Sequence, residues 1–201
     1  MIVTLTMEEI NIQKGNYSCT FSPETLEKLS AGGLLARRKI LYKLYIAHRE
    51  LQLECPVIKT THRKNIVLWP AIKLPYRKYP IYVYLYAAAL YLSSKMSMRS
   101  VAAKVRSKFG LDTFSHSTLC RSLKKLMETA PDLLQLVTAE MKKEETTDPA
   151  LVRRRHWDPA RKDRYRMLLT ALSLVLIRRK TISFSSLLNY KYFNRTMRFL
   201  L

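Results

Sequence analysis

Met1–Leu5 alternates apolar and polar side chains and fits a short strand. Ser22-Pro23-Glu24 reads as a helix start, with Ser22 as N-cap and Pro23 at the first helical position, and Gly32-Gly33 as the end of that helix. From Leu34 to about Leu53, Ile40, Leu41, Leu44, Tyr45 and Ala47 recur at helical spacing. Arg37, Arg38, Lys39, Lys43 and Arg49 fall on the other side, so a second helix is expected there. Pro56, Pro70, Pro75 and Pro80 forbid a long helix over Cys55–Tyr79, where Asn65–Trp69 is β-prone. After Pro80 the run IYVYLYAAALYLSSK is apolar on nearly every side, which predicts a buried central helix.

The clearest pattern is Ser97–Met127. Val101, Val105 and Phe109 lie at i, i+4 and i+8, with Ala102 beside them, giving one apolar stripe. Gly110 then stands where a left-handed residue commonly ends a helix. Leu111–Phe114 makes a short connector, and Ser115 or Ser117 can cap the next helix. That helix carries Leu119, Leu123 and Leu126 on one side and Thr118, Arg121, Ser122 and Lys125 on the other. Beyond it, Pro131 opens a helix over Asp132–Glu144, and Thr146–Pro149 reads as a linker. Ala160–Lys180 predicts a helix with an apolar second half, followed by a tail of Ser, Tyr, Arg and Phe. The expected fold class is mainly α: a helical domain with a helix-turn-helix, and room for a short N-terminal β element. The divisions fall at residues 1–80, an N-terminal basic helical region; 81–145, the helix-turn-helix; and 146–201, a basic helix and tail.

Charge sharpens this picture. The 201 residues carry a net charge of +21, placed in two blocks. Residues 31–110 hold +14 and residues 151–201 hold +11, while 1–30 and 111–150 are each −2. Such a field attracts polyanions in a salt-dependent way. It suits nucleic acid first, although ribosome-associated and membrane-surface proteins share the balance. Three widely spaced cysteines, Cys19, Cys55 and Cys120, exclude a disulfide scaffold and fit a reducing cytoplasm. The apolar runs Ile81–Leu92 and Met167–Ile177 are shorter than the roughly 17–25 residues that span a bilayer. The start MIVTLTMEEINIQ has no basic stretch before an apolar one, so no signal peptide is expected.

On a helix-turn-helix, small hydroxyls and cations facing outward suit major-groove docking. The candidate DNA contacts are Ser115, His116, Ser117, Thr118, Arg121, Ser122 and Lys125 on the second helix. Arg99, Lys104 and Lys108 on the first would hold phosphates, and an Arg can make a bidentate bond to guanine. Arg153-Arg154-Arg155 adds a clamp beyond that footprint. Tyr165, Phe184, Tyr190, Tyr192, Phe193 and Phe199, interleaved with basic residues, fit either single-strand stacking or an ordinary core. The Met167–Ile177 helix fits a dimer interface or packing on the main domain, and a homodimer would suit a palindromic site.

Arg99-Ser100-Val101-Ala102, Phe109-Gly110 and Ser115-His116-Ser117-Thr118-Leu119-Cys120-Arg121 resemble the helix-turn-helix regions of bacterial insertion-sequence transposases. LWPAIKLPYRKYP, Leu68–Pro80, is similar to a segment of uncharacterised mobile-element proteins, in which a zinc ribbon precedes a like Pro-Tyr stretch. The resemblance covers about Cys55–Met127 and implies a transposon- or phage-related DNA-binding protein. No CxxC pair is present. Cys55, His62, His48 and Cys19 are too scattered for a structural zinc site, so no metal or cofactor is expected.

Catalysis is not expected either. The acidic residues show no setting for a two-metal carboxylate core, and residues 128–201 show no run of alternating strands. A recombinase-type Tyr nucleophile lacks a His-x-x-Arg pairing, since His62-Arg63 is adjacent, and His156-Trp157 with Tyr190 and Tyr192 does not supply one. Gly-rich phosphate loop, G-x-S-x-G elbow and H-E-x-x-H are missing. Cys120 is expected as a core thiol. The leading expectation is a non-catalytic cytoplasmic protein that binds double-stranded DNA, with no membrane partner. One alternative is an interaction or inhibitor protein whose basic surface binds an acidic protein or a ribonucleoprotein complex. Another is a transposase fragment that needs a catalytic partner.

Overall fold

The computed structural model describes residues 2–6, 9–13, 16–20, 33–46, 49–60, 65–140, 159–177 and 181–201. The chain is mainly α. Among the described residues, the strands lie before Pro80 and the helices after it.

β1 (Ile2–Thr6) realises the expected N-terminal strand and pairs in parallel with β6 (Asn65–Pro70), Ile2 opposite Ile66 and Leu5 opposite Trp69. β2 (Glu9–Gln13) and β3 (Asn16–Thr20) form an antiparallel hairpin. The larger departure lies between them and β6. The helix expected over Leu34–Leu53 is absent, and the chain runs there as β4 (Gly33–Ile46) and β5 (Arg49–Thr60), an antiparallel pair. The sheet order is β1-β6-β5-β4.

The reason lies in an ambiguity of spacing. Positions i and i+4 share a face in a helix and in a strand alike, so Ile40 and Leu44 decide nothing. Leu51-Gln52-Leu53-Glu54-Cys55 is the period-2 signal that favours a strand. Cys55 and Val57, on that alternation, are buried. Pro56, which cannot donate to a ladder, pairs with Lys39 at the edge of a register shift between Leu35 and Lys39. The helix start at Ser22-Pro23 lies outside the described residues.

Ala71–Pro80 ties the sheet to the helices. Trp69 donates its indole N–H to the Lys73 carbonyl, and Ile81 N–H bonds back to Ile72 O at 3.3 Å. α1 (Ile81–Ser93) is the expected central helix, with Ile81, Tyr84, Leu85 and Leu92 fully or almost fully buried. α2 (Met98–Phe109), α3 (His116–Glu128) and α4 (Ala130–Ala139) follow. α5 (Pro159–Leu176) and α6 (Thr181–Thr196) close the fold. α1 lies against α2, α3, α5 and α6, and α5 also against α4.

Leu168, Leu169, Leu172 and Val175 of α5 belong to the same core as Val101, Phe114 and Leu119, so packing is continuous across residue 145. α6 is held there by polar bonds. Buried Asn189 donates to Ala71 O at 2.8 Å and accepts from Leu200 N–H at 3.1 Å, while Lys191 pairs with Glu140. The C-terminal aromatics are accounted for in the same way. Tyr192 and Phe193 are buried, and Tyr165, Phe184, Tyr190 and Phe199 are half-buried. Among the described residues no helix is long and apolar enough to cross a membrane.

Candidate nucleic-acid interface

The boundaries of α2 and α3 follow from their caps. Ser97 Oγ accepts the Ser100 N–H at 3.2 Å and starts α2. Gly110 ends it at φ 58°, ψ 43°, a conformation a Cβ would oppose. Leu111 N–H then reaches back to Arg106 O at 3.0 Å, and Leu111 is buried, as in a Schellman closure. Phe114 fills the space under the turn, fully buried, with its ring centroid 5.8 Å from Tyr79 and 5.9 Å from Tyr84. Arg106 Nη1 donates to Phe114 O at 2.8 Å across the turn. Tyr79 Oη and Thr113 Oγ1, 2.9 Å apart, join the turn to the loop before α1. The result is a helix–turn–helix whose connector is fixed on both sides.

Ser115 starts α3 by accepting Thr118 N–H at 3.1 Å, and the two hydroxyl oxygens lie 3.0 Å apart. Both residues are half-buried, and their polar groups serve the helix start. Ser115→Ala is expected to lower stability by about 1 kcal/mol. Urea denaturation checks this, and an unchanged midpoint would mean the cap carries nothing.

The outward face of α3 is rotated from the expected one. Ser122 is fully buried and donates to Thr118 O at 2.8 Å, so it is not a contact for an outside ligand. It falls at i+3 from Leu119 and i−4 from Leu126, inside the apolar stripe, and its hydroxyl is satisfied by its own helix. Lys125 is half-buried and paired with Glu128 at 3.3 Å. The exposed residues of α3 are His116, Ser117, Cys120, Arg121, Lys124 and, at its end, Glu128. Cys120 is therefore exposed and not a core thiol, because it lies one position away from Leu119 and turns out of the core. Lys124 is the exposed cation of α3 that the sequence pattern did not single out. Arg121 Nε bonds to Ser117 O at 3.3 Å, which steadies the side chain and leaves its forked Nη end for an outside acceptor.

On α2, Arg99, Lys104 and Lys108 are all exposed, opposite buried Val101, Ala102 and Val105. Lys108 Nζ sits 4.3 Å from the Tyr86 ring centroid, a cation–π contact that fixes where its charge lies. A further cation was not foreseen: Arg77 lies over the Tyr84 ring at 5.5 Å. Burial pushes the Tyr84 hydroxyl up to about 12, against a backbone hydrogen bond at Tyr79 and the positive fields of Arg77 and Arg121. Arg77 and Arg121 thus act on one group from two elements. Arg153, Arg154 and Arg155 lie outside the described residues, as do His48, His62, His156 and Trp157. Among the described residues no three His, Cys, Asp or Glu side chains gather as a metal site.

No protein-family model, no curated protein sequence and no solved structure matches the chain.

Proposed function

We propose that this chain is a cytoplasmic, non-catalytic protein of a mobile element or phage that binds duplex DNA through α3. The observation that carries the reading is the exposed stripe Ser117–Arg121–Lys124, on a helix held by its cap and by the buried Phe114 turn. A rigid helix presenting a hydroxyl and two cations can meet both phosphates and base edges in the major groove. Arg99, Lys104 and Lys108 of α2 supply sequence-independent attraction. The resemblance of Arg99–Arg121 to transposase helix-turn-helix regions agrees with this role.

Selection from a random duplex pool at two salt concentrations tests it. A defined motif should survive the higher salt, and Arg121→Ala should lower discrimination at one position by about 1–3 kcal/mol. Lys104→Ala should instead weaken all sequences alike and flatten the salt dependence. Binding without a motif that vanishes with salt would sink the reading and point to an acidic protein or RNA partner.

A further inference from the structure

Leu74–Arg77 forms a turn closed by Arg77 N–H to Leu74 O at 3.3 Å, with Pro75 and Tyr76 at its corner. Tyr76 adopts φ 56°, in the left-handed region. Gly or Asn is the usual occupant of this corner position, because a Cβ there is sterically opposed. The ring gains nothing from the fold in return, for Tyr76 is 102% exposed.

The surroundings hold this conformation firmly. Leu74 and Tyr79 are buried on either side, Lys73 Nζ bonds to Arg77 O, and Arg77 lies over Tyr84. Tyr79 bonds to Thr113 in the turn before α3. Met197, also at positive φ, closes the end of α6 through its N–H to Phe193 O, whereas Tyr76 sits in a loop turn with its ring fully in solvent, a strained position that suits a role outside folding. Arg77 and Lys78 follow the ring in the chain, and the frame around it is joined through Tyr79 and Thr113 to the same turn that positions α3.

We infer that Tyr76 is a base-stacking residue, and that the preferred ligand is duplex DNA carrying an unpaired nucleotide beside the segment held by α3. A solvent-facing ring on a strongly basic chain suits an unstacked base, whose π-face it covers while the cationic field attracts the strand. Among the described residues with a described exposure, Tyr76 is the aromatic ring that stands exposed. The inference rests on the duplex-binding role of α3.

Fluorescence anisotropy of two labelled duplexes tests it, one fully paired and one with a single unpaired nucleotide near the selected site. The wild-type protein should prefer the unpaired form by about tenfold. Tyr76→Phe should keep that preference. Tyr76→Gly should bring the ratio of the two affinities to about one, while its melting temperature holds or rises, since Gly takes this φ freely. Equal binding of both duplexes by the wild type overturns the stacking role alone. A lowered melting temperature in Tyr76→Gly also overturns it, because the ring would then be structural. Binding of neither duplex overturns the α3 reading and this inference together.

Discussion

Phe114→Ala is expected to lower the unfolding free energy by about 3–5 kcal/mol. Phe114 is fully buried under the α2–α3 turn and packs on Tyr79 and Tyr84. Its removal leaves a void that three anchored elements cannot close. Gly110 fixes the chain before it, the Ser115 cap fixes the chain after it, and Arg106 holds its carbonyl. Domains of this size are commonly stable by only about 5–15 kcal/mol, so the loss is a large share of the total. Urea denaturation followed by circular dichroism reads it directly. Phe114→Leu, nearer in volume, should lose less than about 1.5 kcal/mol. A loss below about 1 kcal/mol for the alanine variant would show that the turn does not depend on this ring.

Lys73 should give the protein an unusual alkaline stability profile. Its side chain is almost wholly buried, 4% exposed, and burial lowers its pKa from 10.5 to about 8, with the neighbouring Cys55 opposing the shift. Between about pH 8 and 10.5 the unfolded chain holds this proton and the folded chain does not. Stability from this group therefore rises with pH across that window and is lost again as pH falls through about 8. The full swing is up to about 3 kcal/mol, at roughly 1.4 kcal/mol per unit.

Tyr84 works in the opposite sense. Its hydroxyl, pushed up to about 12 by burial, favours the folded state below pH 10 and loses that contribution as pH climbs through about 12. Tyr82 is shifted in the same direction by burial. Comparing wild type with Lys73→Met isolates the lysine. The difference between the two melting curves should shrink from pH 7 to pH 10, with the methionine variant the more stable at pH 7. A difference that stays constant with pH would mean that Lys73 titrates normally.

These effects show how unevenly the sequence reveals the molecule. Gly110 and the choice of Ser115 or Ser117 mark the turn by local chemistry, because a left-handed end needs only a missing Cβ and a cap only its own hydroxyl and a neighbouring N–H. The buried α1 is equally legible, since a segment apolar all round has no face to give to water. β1 and β6 are short and flanked clearly enough to be read as strands.

Elsewhere the sequence is ambiguous on physical grounds. In β4 the positions Ile40 and Leu44 fit a helix and a strand alike, and the choice is made by pairing with β5, Ile40 opposite Cys55, where only Leu51–Cys55 carries the alternation of a strand. On α3, Leu119, Leu123 and Leu126 define the buried side to within about one residue. That margin decides whether Ser122 or Cys120 meets solvent, and neighbouring α1 and α5 settle it. Lys73 is buried because the chain folds its loop between sheet and helices, which a lysine in a basic stretch does not announce.

The sequence by itself determined a mainly helical, strongly basic chain with a capped helix–turn–helix, because caps, periodicity and charge are local or additive properties. Only the tertiary structure decided which side of α3 faces outward, that the C-terminal helices share its core, and that Tyr76 stands exposed on a strained corner. Each of those depends on which distant surfaces exclude water from one another.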